Sequence, residues 1–213
     1  MKQINAIVAI GTVLALSSFS IIDRLTPVTL NNPIEKHIKA VPYKVDAAQS
    51  KLTWLAKKVT GEHSGTIAVS SGLLNVENNV LKGGSFDLDT KSIAVTDITD
   101  KESNAKLLGH LKSEDFFAVD KFDKAKFVIT SASIKGAGLY QIKGNLTIKG
   151  ITNEVTFPAS VKIDNTRLTA NAKIVVDRTK YGIKFRSKSF FENLGDKTIA
   201  DEFELNIQLA ATK

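Results

Sequence analysis

Residues 139–176 read LYQIKGNLTIKGITNEVTFPASVKIDNTRLTANAKIVV, and the alternation inside this stretch decides the fold. Tyr140, Ile142, Gly144, Leu146 and Ile148 alternate with Gln141, Lys143, Asn145, Thr147 and Lys149. Successive side chains of an extended chain point to opposite faces, so this pattern is a strand with one dry and one wet side. Val155, Phe157, Ala159 and Val161 set against Glu154, Thr156, Ser160 and Lys162 repeat it, and Leu168, Ala170, Ala172, Ile174 and Val176 repeat it again. Lys149-Gly150 and Asp164-Asn165 between the runs are turn chemistry, tolerating tight or left-handed backbone.

The same period extends in both directions. Toward the C-terminus Phe203, Leu205, Ile207, Leu209 and Ala211 face away from Glu202, Glu204, Asn206 and Gln208. Upstream, strands are predicted over 51–59, 65–76, 80–89 and 125–135, with Leu52, Trp54 and Ala56 on one face of the first and Phe86, Leu88 and Phe127 on the dry faces of the later ones. Asn78-Asn79 and Gly136-Ala137-Gly138 punctuate them. The expectation is an all-β domain of eight antiparallel strands, which can stack as a sandwich or close as a barrel; periodicity does not choose between the two. Two longer interruptions break the run. In 91–124 the spacing Thr99-x-x-Glu102 predicts a capping box opening one short helix, with Leu107, Leu108 and Leu111 on one side and Phe116 and Phe117 following as wedges at a barrel mouth. The second, 177–200, is rich in Lys, Gly and Phe.

The N-terminus is of another kind. Lys2, an apolar run from Ile4 to Leu16 and the serines at 17, 18 and 20 read as a secretory signal over residues 1–20. Asn5 and the three serines weaken the stretch as a lasting membrane span, and with no Cys in the chain a lipoprotein anchor is excluded. Residues 21–42, with Pro27, Pro33 and Pro42, read as a flexible tether, and 43–213 as one folded domain. A periplasmic or secreted location is therefore expected. The net charge is +7, and Lys143, Lys149, Lys162 and Lys173 sit on wet strand faces without interleaved exposed aromatics, which argues against a nucleic-acid platform and suits weak attraction to an anionic membrane surface.

Catalytic patterns are sparse. Of the three histidines His37 lies in the tether, and His63 and His110 have no ligand spacing that would hold a metal. His63 with Ser64, or His110 with Asp115, are the only pairs from which a loop-built enzymatic site could be drawn; a turn hydrogen bond explains each as well. The dry face carries more information. If eight strands close, their lumen is just wide enough for side chains or one slender ligand. Gly144, Ala170 and Ala172, with Ala159 and Ala56, are too small to fill it, and their missing volume is read as the room for a linear apolar guest. Trp54, Phe86, Leu88, Phe127, Tyr140, Ile142, Leu146, Phe157, Ile174, Phe203 and Leu205 then supply the lining.

Several strings occur together in a recognisable order: Lys57 with His63-Ser64-Gly65, Gly83-Gly84-Ser85-Phe86 through Asp89, and His110-Leu111-Lys112-Ser113-Glu114-Asp115-Phe116-Phe117. Gly144-Asn145-Leu146-Thr147-Ile148-Lys149-Gly150, Phe157-Pro158 and Asp177-Arg178-Thr179-Lys180-Tyr181-Gly182-Ile183 follow. From Tyr43 to the C-terminus the chain thereby resembles the YceI-like family. The resemblance implies an exported, lipocalin-like eight-stranded barrel, so it favours barrel over sandwich. It also implies a polyisoprenoid, or an isoprenoid-quinone-like amphiphile, held in the lumen as ligand for carriage or storage. It supplies no catalytic residues and no cofactor, and the expectation is a binding protein and not an enzyme. An envelope stress or interaction protein with a packed barrel, or an enzyme with a loop-built site around His63 or His110, is the alternative.

Overall fold

The structure, a computed structural model, describes residues 40–213. The signal reading over 1–20, and the tether up to residue 39, lie outside the described residues. Nine strands and one helix follow: β1 (Val41–Val45), β2 (Lys51–Lys58), β3 (Gly61–Glu77), β4 (Val80–Val95), α1 (Lys101–Lys112), β5 (Lys124–Gly136), β6 (Leu139–Ile148), β7 (Ile151–Ile163), β8 (Arg167–Asp177) and β9 (Ile199–Thr212). Every pairing is antiparallel, in the order β3-β2-β9-β8-β7-β6-β5-β4, and β4 pairs back onto β3 to close an eight-stranded barrel. Inside are the runs the alternation marked as dry; Lys143, Lys162, Lys173 and Gln208 face water.

The barrel has the eight staves expected, and a ninth strand, β1, lies within one of them at the end of the span read as tether. Val41 and Pro42 are not tether: they pair with Val76 and Asn75 of β3, and Lys44 and Val45 pair with Thr212 and Ala211 of β9. These are the same two neighbours that flank β2 further along the barrel. β1 and β2 are thus one stave interrupted by a turn at 46–50, where the Asp46 carboxylate accepts from the amides of Ala48 and Gln49. Pro42 is tolerated because only β3 lies opposite it, and a missing N–H matters least at such an edge.

The turns are built as their residues dictate. Asn78 and Asn79 both adopt left-handed backbone, φ 51° and 60°, and Lys149-Gly150 do the same at 51° and 75°. Asp164 accepts from the amides of Thr166 and Arg167, closing the β7–β8 hairpin. The helix begins one residue later than expected. Its cap is Asp100, whose carboxylate accepts from the Ser103 amide, and not Thr99. The end of the barrel away from α1 is solid: Tyr43, Leu74, Val76, Leu168 and Ala211 are buried there, and Tyr43 Oη donates to the Asp164 carbonyl at 3.0 Å.

One ladder is short. β7 and β8 pair only from Ala159↔Ala172 to Ile163↔Leu168, so residues 151–158 and 173–177 face each other without ladder bonds. The turn Arg178–Tyr181 fills part of that gap, with Asn153 Nδ2 donating to the Lys180 carbonyl at 3.0 Å.

Candidate functional site: the lumen and its mouth

Two apolar voids lie in series along the barrel axis. The upper, about 90 Å³, is walled by Trp54 and Ala56 of β2, Leu88, Thr90 and Ile93 of β4, Leu146 and Ile148 of β6 and Phe203 and Leu205 of β9. Leu111, Phe116 and Phe117 roof it. The lower, about 40 Å³, is walled by Phe86, Phe127, Ile142, Phe157, Ala170 and Ala172 among others. On β4 the lower lining residue Phe86 stands one inward position below Leu88, and on β6 Ile142 stands two inward positions below Leu146, with Gly144 between them. In that layer the rings of Phe86, Phe127 and Phe157 pack in a row at centroid distances of 5.5 and 5.5 Å. The trio lines one side of the lower void. Pockets for drug-sized ligands run to about 300–1,000 Å³, so a long guest enters this lumen only by displacing the rings or widening the barrel.

A third, shallower opening of about 70 Å³ lies between β2 and α1. It shares Trp54, Ala56, Leu111, Phe116 and Ile199 with the upper void, and its outer rim carries Lys57, Lys58, His63 and Leu107. These shared side chains are all that separates the lumen from solvent at this point. The helix above it has no buried residue; it is tied by its cap and by Asn104 Nδ2, which donates to the carbonyls of Val95 and Ile98.

The polar groups of this end are almost all engaged. Arg178, only 4% exposed, borders the upper void. Its guanidinium donates to the carbonyls of Ala200, Ile183 and Ile199 at 2.9, 2.9 and 3.1 Å and faces Asp201 at 3.6 Å, stitching the loop after β8 to the start of β9. Burial pulls the Arg178 pKa down, against the opposing pull of Asp201 and Asp177. Thr90 Oγ1 donates to the Phe122 carbonyl. Among the described residues Trp54 Nε1, Tyr181 Oη and Asp201 Oδ1 are buried with no hydrogen-bond partner, and Trp54 Nε1 lies in the wall shared by the void and the opening. A void lined this way stays dry, because water needs two to four polar partners.

The histidines sit on the rim. His63 Nδ1 lies 2.8 Å from Asp97 Oδ2, so its partner is Asp97 and not Ser64, whose amide donates to the other oxygen of the same carboxylate. Burial raises the Asp97 pKa, but the Ser64 amide and His63 outweigh it and hold the carboxyl below its ordinary value. His110 Nε2 does meet Asp115, at 2.9 Å, and its ring stands edge-on to Phe116 and Phe185. Among the described residues no three ligating side chains converge on a point a metal ion could occupy.

Of the residues read from the sequence as lining, Trp54, Leu88, Leu146, Phe203 and Leu205 border the upper void and Phe86, Phe127, Ile142, Phe157, Ala170 and Ala172 the lower. Tyr140, Gly144 and Ile174 are buried but border neither. Gly144 requires a correction. Its missing side chain is not room for a guest, because a Cβ there would press on the Phe127 ring and the Val128 carbonyl; the glycine is the seat of the ring. At the mouth Leu111, Phe116 and Phe117 roof the void and Leu107 the opening, whereas Leu108 borders neither. The sequence reading passed over Thr90, Ile93, Ile183, Ile199 and Arg178. Thr90 and Ile93 lie within β4 on either side of a break in its alternation, Ile183 lies in the loop after β8 and Ile199 opens β9, and nothing local marks an arginine as buried.

Comparison with known proteins places these features. The YceI-like domain profile matches residues 43–211. A UPF0312 protein of Staphylococcus aureus strain USA300 is 42% identical over 83 residues, 36% of this chain and 46% of that protein, so the chain spans about half the length of the curated relatives it matches. The crystal structure of Burkholderia cenocepacia BcnA superposes with a TM-score of 0.63 at 23% identity, covering 79% of this chain and 99% of that one. A polyisoprenoid binding domain from Saccharophagus degradans, implicated in plant cell wall breakdown, superposes at 0.59 with 12% identity over 80% and 97% of the two chains. At these identities the likeness is one of fold.

Proposed function

We propose that this chain, which belongs to the YceI-like family, binds one linear apolar molecule of the isoprenoid class in its lumen and carries or stores it without chemical change. The observation that carries the reading is the dry axis itself: an opening beside α1, an apolar void under the helix, and a second apolar void walled by three tilted phenylalanine rings. An apolar chain drawn into this axis gains about 25 cal/mol per Å² of surface removed from water. The description of one fold neighbour as a polyisoprenoid binding domain supports the choice of guest.

The site also proposes an orientation. The tail points down past Phe86, Phe127 and Phe157, and a hydrogen-bond acceptor on the head, such as a quinone carbonyl, meets Trp54 Nε1 under the helix. That donor otherwise leaves a buried hydrogen bond unmade, at a cost of about 1–3 kcal/mol. Space for the tail comes from the β7–β8 seam, where the staves separate without breaking ladder bonds. The proposal includes action outside the cytoplasm, supported by the signal-like residues 1–20; an intact mass showing the full-length chain retained in membranes would count against a cleaved signal.

Trp54 is the only tryptophan, so its fluorescence reports on the site alone. Titration of lipid-stripped protein with a long-chain ubiquinone should quench it saturably at one equivalent. Ala170→Phe, which fills the lower void, should abolish quenching by the long-chain quinone and preserve quenching by a short-chain analogue. Linear, unsaturable quenching in the wild type would overturn the reading.

A further inference from the structure

The segment between β8 and β9 presents a surface that lumen binding does not use. Phe190 and Phe191 are adjacent, 47% and 50% exposed, while Ser187 beside them is completely buried. The rings are not outside because the loop is loose. The Ser187 carbonyl accepts from the amides of Phe190 and Phe191 at 3.1 and 2.9 Å, and its own amide donates to Lys184. Ser189 Oγ donates to Asp201, and Ile199 donates its amide to the Arg186 carbonyl at 3.0 Å. A tight, pinned turn therefore holds two aromatic rings in water. Around them Lys184, Arg186, Lys188 and Lys197 are exposed, four cations against the two acids Glu192 and Asp196. Lys184 Nζ stands 4.6 Å from the centre of the Phe190 ring.

Paired exposed aromatics ringed by cations match the interface of an anionic bilayer, where rings settle at headgroup depth and basic side chains meet lipid phosphates. The loop is also continuous with the mouth. Ile183 at its start and Ile199 at its end both border the upper void, and Val59, an exposed valine at the end of β2, donates its amide to Thr198. We propose that 184–197 is a membrane-docking loop: Phe190 and Phe191 insert shallowly into an anionic lipid surface, Lys184, Arg186 and Lys188 hold its phosphates, and the barrel mouth comes to rest against the bilayer. An apolar guest then passes between bilayer and lumen without crossing water. Docking does not depend on the lumen being occupied, so the two proposals fail separately.

The test is flotation of the folded domain with vesicles of equal phosphatidylglycerol and phosphatidylcholine, against pure phosphatidylcholine. The wild type should float with the anionic vesicles only, and less as salt rises. Phe190→Ala/Phe191→Ala should lower the partition coefficient about tenfold or more, and Lys184→Glu/Arg186→Glu/Lys188→Glu should abolish it. Because the rings are exposed, circular dichroism of both variants should match the wild type. Phe191→Trp provides an independent readout: its added fluorescence should be quenched by bromine-labelled lipid in anionic vesicles. Absence of flotation, flotation indifferent to the phenylalanines, or a concentration-dependent dimer that Phe190→Ala/Phe191→Ala dissolves would overturn the proposal; the last would make this surface a contact between copies of the chain.

Discussion

Glycine and aromatic side chains are partners in this lumen. Trp54 lies opposite Gly65 across β2 and β3, and a Cβ on Gly65 would meet the indole within 2.6 Å. Phe86 is the cross-strand partner of Gly72, where a Cβ would stand 2.7 Å from its own, and the Phe127 ring rests on Gly144. The inward direction of Trp54, Phe86, Phe127 and Gly144 was legible, because alternation fixes it; Gly65 and Gly72, seven residues apart, share a face only because the register of β3 shifts between them. Which small residue is space and which is a seat was not legible, because that depends on cross-strand register and ring rotamer, neither of which is local. Gly144→Ala should therefore destabilise the protein by about 1–3 kcal/mol through overpacking, whereas Ala170→Val, pointing into the lower void, should cost less than about 1 kcal/mol. Denaturant midpoints of the two variants check the contrast. Arg178 sets a larger scale. Arg178→Met leaves three carbonyls without their donor and Asp201 without the cation it faces, and should cost about 3 kcal/mol or more on the same measurement.

At the scale of elements, what escaped the sequence reading was whatever lacks period two. β1 hid behind Pro42 and a short length, and it exists because the ends of β3 and β9 leave a stave-wide vacancy that an extended segment fills. The helix was legible from its leucines, although its cap fell on Asp100 and Leu108 does not reach the void. Since α1 buries no residue, its hold on the mouth is weak. Leu111→Ala should cost less than the about 2–5 kcal/mol typical of a core leucine, while shortening the residence time of a quinone followed by Trp54 fluorescence. The short β7–β8 ladder yields its own expectation. Backbone amides in 151–158 that point toward β8 lack ladder partners and should exchange hydrogen faster than those of β6, whose pairing with β7 runs without a break from Leu139 to Ile148.

For the whole molecule, closure of the sheet followed from the family resemblance and not from periodicity, since a strand's alternation is the same in a sandwich and in a barrel. Electrostatics also act at this scale. The carboxyls of Asp97, Asp100, Asp164, Asp201 and Glu204 all lie below their ordinary values. For Asp201 burial works in the other direction, and the serine hydroxyls and cations around it prevail. A carboxyl whose pKa is lower folded than unfolded stabilises the fold at pH values above its unfolded pKa, and that contribution is lost as pH falls through the folded one. Thermal midpoints should accordingly be level from neutrality down to about pH 5 and decline steadily below about pH 4. The expectation is contradicted if the midpoint rises on acidification.

The central claim is that the dry axis of the barrel holds a single apolar chain, and native mass spectrometry of protein purified without detergent addresses it most directly. The predicted result is a folded chain carrying one non-covalent lipid adduct, released by organic extraction as an isoprenoid and lost in Ala170→Phe. A bare chain mass, from protein that also fails to take up added ubiquinone, would contradict it and leave the lumen as a packed core.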